Sequence, residues 1–226
     1  MTPPVEAAGK LSNVLDFVRY ELEPIRAYCR AHKVGVQALL MAADTEAHRD
    51  HFGLAQDTPL IVNAVVDTRP LPWASEAHKK RQLFSGSAVV HVVVSGTGSV
   101  AGDIERCHHR VREEVARPEA AVQMTFFGAD VDPATGTDKK SFYPQAPDYP
   151  CLLVSNVGTY RHVKHPRLGV RLVAPPFAST AIYSYTDDDA LEVFVSHPST
   201  MDAALRDAII AHIDAVLVGC CGSTRI

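Results

Sequence analysis

Hydrophobic positions follow two different periods along the first half of this chain. Three segments are typical of strands, and the second and third are runs of β-branched residues: residues 14–22, 60–67 and 88–95. Three others repeat apolar residues every three or four positions, as amphipathic helices do: residues 23–33, 36–52 and 99–116. The pattern therefore predicts strands that alternate with helices as far as residue 116.

Strands dominate the prediction for the second half. Four short strands follow one another: residues 152–155, 169–173, 180–186 and 191–196. The aspartates at 187–189 mark a hairpin turn between the last two strands, and residues 201–217 form a terminal amphipathic helix. Residues 121–127 fit either a strand or a short helix, while residues 130–150, which contain four prolines, form a loop.

This order of elements predicts one α/β domain. Helices and strands interleave early and strands cluster late, which indicates a mixed, largely antiparallel sheet with helices packed on one face. The domain covers residues 13–219, between an N-terminal tail at residues 1–12 and a C-terminal tail at residues 220–226. The C-terminal tail contains Cys220 and Cys221, and we expect it to be a frayed end after the last helix.

Charge and composition narrow the range of partners. The 26 acidic and 22 basic residues give a formal charge of −4 without a basic stripe, which argues against a nucleic-acid partner. No apolar run approaches the roughly 20 residues that cross a bilayer, and the first ten residues lack the pattern of a secretory leader. The five scattered cysteines have no CxxC spacing, which argues against a zinc site or a disulfide framework. We therefore expect a cytoplasmic protein with no membrane partner.

Four phrases, in this order, carry a resemblance to a known superfamily: IRAYCRAHKVGVQALLMAA, IVNAVVDTRP, LLVSNVG and IYSYTDDDALEVFVSHPSTMD. Between about residues 13 and 217 the chain resembles the C-terminal half of chloramphenicol-acetyltransferase-like proteins, which include peptide-synthetase condensation domains and fungal alcohol and trichothecene O-acetyltransferases. The resemblance implies one lobe of a CoA-dependent-acyltransferase-like fold. In that family two similar halves meet around a tunnel, and the general base is the second histidine of an HHxxxD motif in the N-terminal half. We expect that catalytic half to be absent here.

Three other patterns imitate functional motifs. Residues 108–113 read HHxxxE, but they lie inside the helix predicted at 99–116, so we interpret them as a solvated helix face. Glycines 96, 98 and 102 imitate a dinucleotide-binding turn with imperfect spacing, and a plain strand-to-helix turn is the preferred interpretation. Asp44, His48 and His51 could bind a metal, but they lack a fourth ligand in the pattern, so we interpret them as a polar helix face and predict no metal site.

Five residues are candidates for a functional site. His91 is the only ionisable residue in an apolar strand, on the same face as Val89 and Val93, and is either a hydrogen-bonded core residue or a group that transfers protons. The resemblance places Asn156 close to the tunnel, where its amide could orient a substrate carbonyl or else cap a turn. Predicted substrate-binding residues are Phe127, Tyr160 and His162, the last two in a basic loop that could meet a CoA phosphate but could equally be solvated.

The resemblance also assigns a structural role to Asp67 and Arg69, as an ion pair at the end of the strand at 60–67. Neither residue is expected to take part in chemistry.

The missing HHxxxD histidine shapes the functional prediction, because a general base typically contributes about 10²- to 10⁴-fold to a rate. We expect a repurposed biosynthetic enzyme that binds a small, largely apolar natural-product intermediate and promotes cyclisation, isomerisation or elimination without acyl transfer. No cofactor is favoured, although CoA stays possible. The alternatives are a non-catalytic partner subunit or fragment of an O-acetyltransferase, and a nucleotide-binding protein. Because the face toward the missing lobe would be apolar, we expect a homodimer or a separate N-terminal lobe as partner.

Overall fold

A single sheet of six strands organises the part of the chain that the structure describes. The structure is a computed structural model, and it describes residues 13–72, 74–80, 87–116, 152–159, 180–187, 189–199 and 201–226. The strands are β1 (Asn13–Glu21), β2 (Leu60–Asp67), β3 (Ser87–Val94), β4 (Leu152–Thr159), β5 (Ala181–Asp187) and β6 (Ala190–Pro198). The helices are α1 (Leu22–His32), α2 (Val36–Phe52), α3 (Glu76–Lys79), α4 (Val100–Ala116) and α5 (Ala203–Asp214), and a π-helical segment (Ala215–Cys220) continues α5.

The sheet is mixed, as the sequence predicts. Its strand order is β1-β6-β5-β4-β2-β3. The pairs β1/β6, β6/β5 and β2/β3 are antiparallel, whereas β4 runs parallel to both β5 and β2. The predicted fold class, a largely antiparallel mixed sheet with helices packed on one face, is therefore confirmed. The predicted segments at 121–127, 130–150 and 169–173 lie outside the described residues.

One face of the sheet forms the hydrophobic core beneath α2, α4 and α5. Alternate strand residues point to this face because side chains alternate along a strand, and they include Val62, Val92, Ile182 and Val193, all fully buried. The apolar side of α2, from Ala38 to Ala47, packs on them. Full burial of each such aliphatic side chain contributes roughly 1.5–3 kcal/mol. Most buried apolar residues among those described lie on this face, so it provides most of their hydrophobic stabilisation.

The other side of the sheet, which we call the second face, carries the remaining alternate positions. Its centre is buried and its rim is exposed. The central residues are Asn63, Leu153, Ser155, Ala181, Tyr183 and Ser196. The rim includes Leu15, Phe17, Ile61 and Val93, which are 43%, 50%, 41% and 45% exposed. Large apolar side chains at a rim of this kind are typical of a binding surface.

The interpretation of Asp44, His48 and His51 as a polar helix face is wrong. Asp44 and His48 are fully buried, and only His51 is partly exposed. The reason is the position of α2, which packs against the sheet, α4 and α5. A helix with neighbours on so many sides has little surface left for solvent, so polar residues on it become buried groups that need partners.

The expectation of a frayed C-terminal end is also wrong. Ile226 donates its backbone N–H to the Arg19 carbonyl at 2.9 Å, and Glu21 donates to the Thr224 carbonyl at 2.9 Å. The Ser223 hydroxyl donates to the Glu21 carbonyl at 2.7 Å, and Cys221 is buried in the core. Burial raises the pKa of the Cys221 thiol to about 12. The segment after the π-helix is thus docked on β1 through a single β-bridge, Tyr20 with Arg225, and sequence alone gives no sign of that pairing.

Among the described residues, none of the helices combines the length and the hydrophobicity that a bilayer crossing requires.

Candidate functional site on the second face

His91 lies opposite Asn63 across the antiparallel pair β2/β3, on the second face. The His91 Nδ1 and the Asn63 Oδ1 are 2.5 Å apart. Because an amide oxygen only accepts hydrogen bonds, Nδ1 is the donor, and Nε2 of the neutral ring keeps a free lone pair. Asn63 is 1% exposed, whereas His91 is half-buried. The fixed amide therefore sets both the tautomer and the orientation of the more accessible imidazole.

Burial lowers the pKa of His91. The ring is consequently neutral at pH 7, since its ordinary pKa of about 6.5 already lies below that value. A neutral imidazole with an oriented lone pair can accept a proton without first losing one. The pair therefore has the chemistry of a general base.

Apolar side chains frame this pair on the second face. Ile61 and Val93 lie opposite one another on one side of it, and Val65 and Val89 do so on the other. Leu153 follows on the neighbouring strand β4, in register with Asn63. Small or aliphatic groups of a substrate would fit this frame, with one polar atom at the imidazole.

Asn156 is not beside His91. It lies on β4, and strand alternation places its side chain on the face opposite Leu153 and Ser155. Its Oδ1 accepts a hydrogen bond from the Gly158 backbone N–H at 3.0 Å, and Gly158 has a φ of 82°. This local bond is typical of an asparagine that supports a turn, so the structure favours the turn-capping alternative at this position.

Asp67 and Arg69 form the ion pair that the resemblance implies. The Asp67 carboxylate accepts hydrogen bonds from the Arg69 guanidinium at 2.8 and 2.7 Å and from its backbone N–H at 3.0 Å. The two side chains are 37% and 30% exposed, respectively. Their architectural role stays a prediction. Phe127, Tyr160 and His162 lie outside the described residues.

The sequence reasoning missed Asn63. The signal was an amide inside the apolar strand at residues 60–67, at a position where a strand buried on both faces would carry an aliphatic residue. The role of Asn63 as the partner of His91 depends on the β2/β3 register, which pairs these two residues although they are 28 positions apart in the chain.

A second histidine site lies on the helix-covered face. The His48 Nδ1 is 3.3 Å from Oδ1 of Asp44 and 2.8 Å from the Asp44 carbonyl, and Nε2 is 3.5 Å from the Thr180 hydroxyl. Burial acts to lower the pKa of His48, but the charge of the Asp44 carboxylate and the hydrogen bond to the Asp44 backbone carbonyl outweigh it and hold the pKa above its ordinary value. We call Asp44 and His48 the buried pair. It has no access to solvent, so it cannot meet a substrate in this structure.

The other imitated motifs have structural roles. Residues 108–113 lie on α4, where Arg110 pairs with Glu113 at 2.8 Å, so HHxxxE is part of a helix as expected. At the glycine turn, Ser99 caps α4 by accepting from the Gly102 N–H at 3.2 Å, and Asp103 accepts from the Thr97 N–H at 2.6 Å. These side chains use donors that a dinucleotide phosphate would need, which favours a plain turn. Among the described residues, no three histidine, cysteine or acidic side chains converge as metal ligands would.

No family model matches the chain, and no curated protein matches its sequence. Solved structures do match. The epimerization domain from the third module of tyrocidine synthetase B is 15% identical with a TM-score of 0.62, and the match covers 93% of this chain and 49% of that one. Polyketide synthase associated protein 5 from Mycobacterium tuberculosis is 13% identical with a TM-score of 0.59, over 95% and 54%. The trichothecene 15-O-acetyltransferase from Fusarium sporotrichioides is 14% identical with a TM-score of 0.55, over 91% and 47%.

The chain has the condensation-domain and acyltransferase fold. It spans about half the length of the structures that it matches. The predicted resemblance is therefore confirmed at the level of the fold, while the assignment to the C-terminal half of such proteins stays a prediction.

Proposed function

We propose that this chain is a biosynthetic enzyme that holds a small, largely apolar substrate against the second face and transfers a proton through His91. The reaction class is isomerisation, elimination or cyclisation, without acyl transfer and without a cofactor. The observation that carries the proposal is the His91–Asn63 pair, a neutral imidazole with an oriented Nε2 inside an apolar frame.

The chemistry needs only one proton acceptor. Nε2 of His91 takes a proton from a carbon acidified by a neighbouring carbonyl, and the electron pair moves into the substrate. The proton then returns at another carbon, which isomerises the substrate. Alternatively a leaving group departs with its bonding electrons, which completes an elimination, and the imidazolium passes its proton to that group or to water. One of the structures with this fold is an epimerization domain, so the fold is not restricted to acyl transfer.

Solvent deuterium exchange tests the proposal for isomerisation and for any reversible proton abstraction, because the carbon that loses its proton then takes up deuterium from the solvent. The protein is incubated in D2O with a panel of small natural-product carbonyl compounds, and deuterium incorporation is followed by mass spectrometry. We expect incorporation with the wild type and a loss of at least about 100-fold with His91→Gln, because a general base contributes on that order. The matched control is His109→Gln, at an exposed position on α4.

The pH profile provides a second readout. Because burial lowers the pKa of His91, the rate should rise with pH, and the midpoint of the rise should lie below pH 6.5, the ordinary pKa of histidine. Full activity in His91→Gln, or no exchange with any compound of the panel, would remove the support for this function.

A second candidate function follows from the length of the match. This chain spans about half of the proteins that it resembles, and its second face has an exposed apolar rim. It could therefore be a partner subunit that completes an O-acetyltransferase with a separate lobe. The test is co-purification from the native cell followed by an acetyl-transfer assay. Since the base would then come from the partner, His91→Gln should leave acetyl transfer unchanged.

A further inference from the structure

Strand β1 is an edge strand of the sheet in the described part of the chain. Its backbone groups alternate between β6 and the outer side, as in any antiparallel strand. The docked C-terminal residues 223–226 show which backbone groups of β1 point outward, because the Arg19 carbonyl and the Glu21 N–H bond to them. The β1/β6 register runs one-to-one without a bulge, so residues 13, 15 and 17 also direct their N–H and C=O groups outward.

The docked C-terminal residues cover only the end of this edge at residues 19–21. Their bridge is between Tyr20 and Arg225, and their last hydrogen bond is at Arg19. Among the described residues, no strand lies alongside residues 13–17. The side chains of Leu15 and Phe17 are 43% and 50% exposed there. An edge that none of the described strands covers, next to apolar side chains, is a template for another strand.

We propose that two copies of this chain pair through this edge, β1 against the partner's β1, about a two-fold axis at Leu15. The pairing is antiparallel, as the two-fold requires. Residue 15 then lies opposite its own copy, and residue 13 lies opposite residue 17 on both sides. All three outward positions form pairs that each exchange two hydrogen bonds, and the two sheets become one continuous sheet.

The neighbours of the edge select this register over the other two-fold choices. An axis at Phe17 would bring Arg19 of each copy into the ladder, but its carbonyl is already bonded to Ile226. An axis at Asp16 would set two carboxylates directly opposite each other, which is destabilising. An axis at Val14 would set Leu15 opposite position 13, an asparagine, rather than opposite its own apolar copy. The axis at Leu15 avoids all three problems.

The side chains also fit this register. On the second face, Leu15 meets its copy, and Phe17, which packs on Phe194 with ring centroids 4.9 Å apart, lies beside it. On the other face, Val14 lies opposite Asp16, whose carboxylate is 3.0 Å from His197 and 4.0 Å from Arg206. The charge of Asp16 is therefore balanced within its own chain. The interface is apolar at its centre, as homodimer interfaces are.

The proposal goes beyond the proposed function, because it uses neither His91 nor its frame. Edge pairing places the second faces side by side and leaves Ile61 and Val93 uncovered. Loss of the dimer and loss of proton transfer are separate outcomes that can be measured on the same preparations.

Sedimentation equilibrium of the full chain is the primary test, and we expect a dimer. Leu15→Pro removes an N–H that points away from β6, so the fold is retained, as proline is tolerated on edge strands, and the dimer is lost. Leu15→Lys should also give a monomer. Ile61→Lys, at a residue of similar exposure on the inner strand β2, is the matched control and should stay dimeric.

Cross-linking then tests the register. Residue 15 would lie about 5.5 Å in Cα distance from its copy, which is within the range of a disulfide. Leu15→Cys should therefore form a disulfide-linked dimer under mild oxidation, unlike the wild type and Ile61→Cys. A monomeric wild type would overturn the proposal. So would a dimer that survives both Leu15 substitutions, or Leu15→Cys cross-linking no faster than the two controls.

Discussion

Two histidine sites on opposite faces of one sheet show how the pKa of the same side chain is shifted in opposite directions by its surroundings. The fully buried His48 has a carboxylate partner, Asp44, and its pKa is raised. The half-buried His91 has an amide partner, Asn63, and its pKa is lowered. The more deeply buried ring is therefore the one that more readily holds a proton.

The charge of the partner decides this difference, not the depth of burial. Burial disfavours the imidazolium at both sites. Only at His48 does a negative charge within 3.3 Å outweigh that cost. A buried histidine held beside a carboxylate favours a fixed structure, whereas a neutral ring on a more accessible face suits proton transfer.

The largest expected effect comes from removing His48. His48→Leu leaves the Asp44 carboxylate buried without its partner, and both of its oxygens lack hydrogen bonds among the described residues. Loss of one member of a buried pair costs about 3–5 kcal/mol, so the free energy of unfolding should fall by that order. Urea denaturation at pH 6 measures it.

Two variants control this experiment. His51→Leu changes a partly exposed histidine on the same helix that lies 3.5 Å from Asp202, and it should cost less than about 1 kcal/mol. The double variant Asp44→Val with His48→Leu removes both charges and should recover most of the lost stability. If the double variant is as unstable as His48→Leu, packing rather than charge dominates the site.

Asn63→Asp gives His91 a carboxylate partner, like the one that His48 has in the buried pair. A carboxylate opposite His91 should raise the pKa of that histidine above its wild-type value, since an opposite charge favours the imidazolium. The substitution also buries a charge at a residue that is 1% exposed, so we expect a loss of about 1–3 kcal/mol in stability. NMR titration of the His91 ring protons measures the pKa. Asn63→Ser, which adds no charge, is the control and should leave the direction of the shift unchanged.

The two sites should also give opposite pH dependences of stability. The raised pKa of His48 contributes stability that is full below about pH 6.5, the unfolded value, and is lost as the pH rises through the folded pKa. The lowered pKa of His91 makes the reverse contribution, because stability is lost as the pH falls from 6.5 through the folded pKa. The free energy of unfolding of His48→Gln and of His91→Gln is measured between about pH 5 and 8, and each is subtracted from the wild-type value at the same pH. Plotted against pH, the two differences should therefore slope in opposite directions. Parallel difference curves would contradict the comparison.

The sequence predicted the helices and strands better than the contacts and pairings between them. Leu60–Asp67 and Val36–Phe52 have the predicted bounds because their apolar periods are unambiguous. The burial of Asp44 and the docking of residues 223–226 were missed because they depend on what packs around a helix and beside an edge strand. His91 was found as an anomaly in an apolar run, but Asn63 could be recognised only once the strand register was known.

The smallest expected effect is at a third charged pair, Asp67 and Arg69, which differs from the buried pair chiefly in exposure. Their side chains are about one-third exposed, so water and ions screen the attraction that dominates at His48. Arg69→Ala should therefore lower the free energy of unfolding by only about 0.5 kcal/mol, and the loss should shrink between about 0.05 and 1 M NaCl. Thermal or urea unfolding at both salt concentrations measures it, with Arg69→Lys as the charge-conserving control. A salt-independent loss as large as that of His48→Leu would show that this pair supports the architecture far more than its exposure allows.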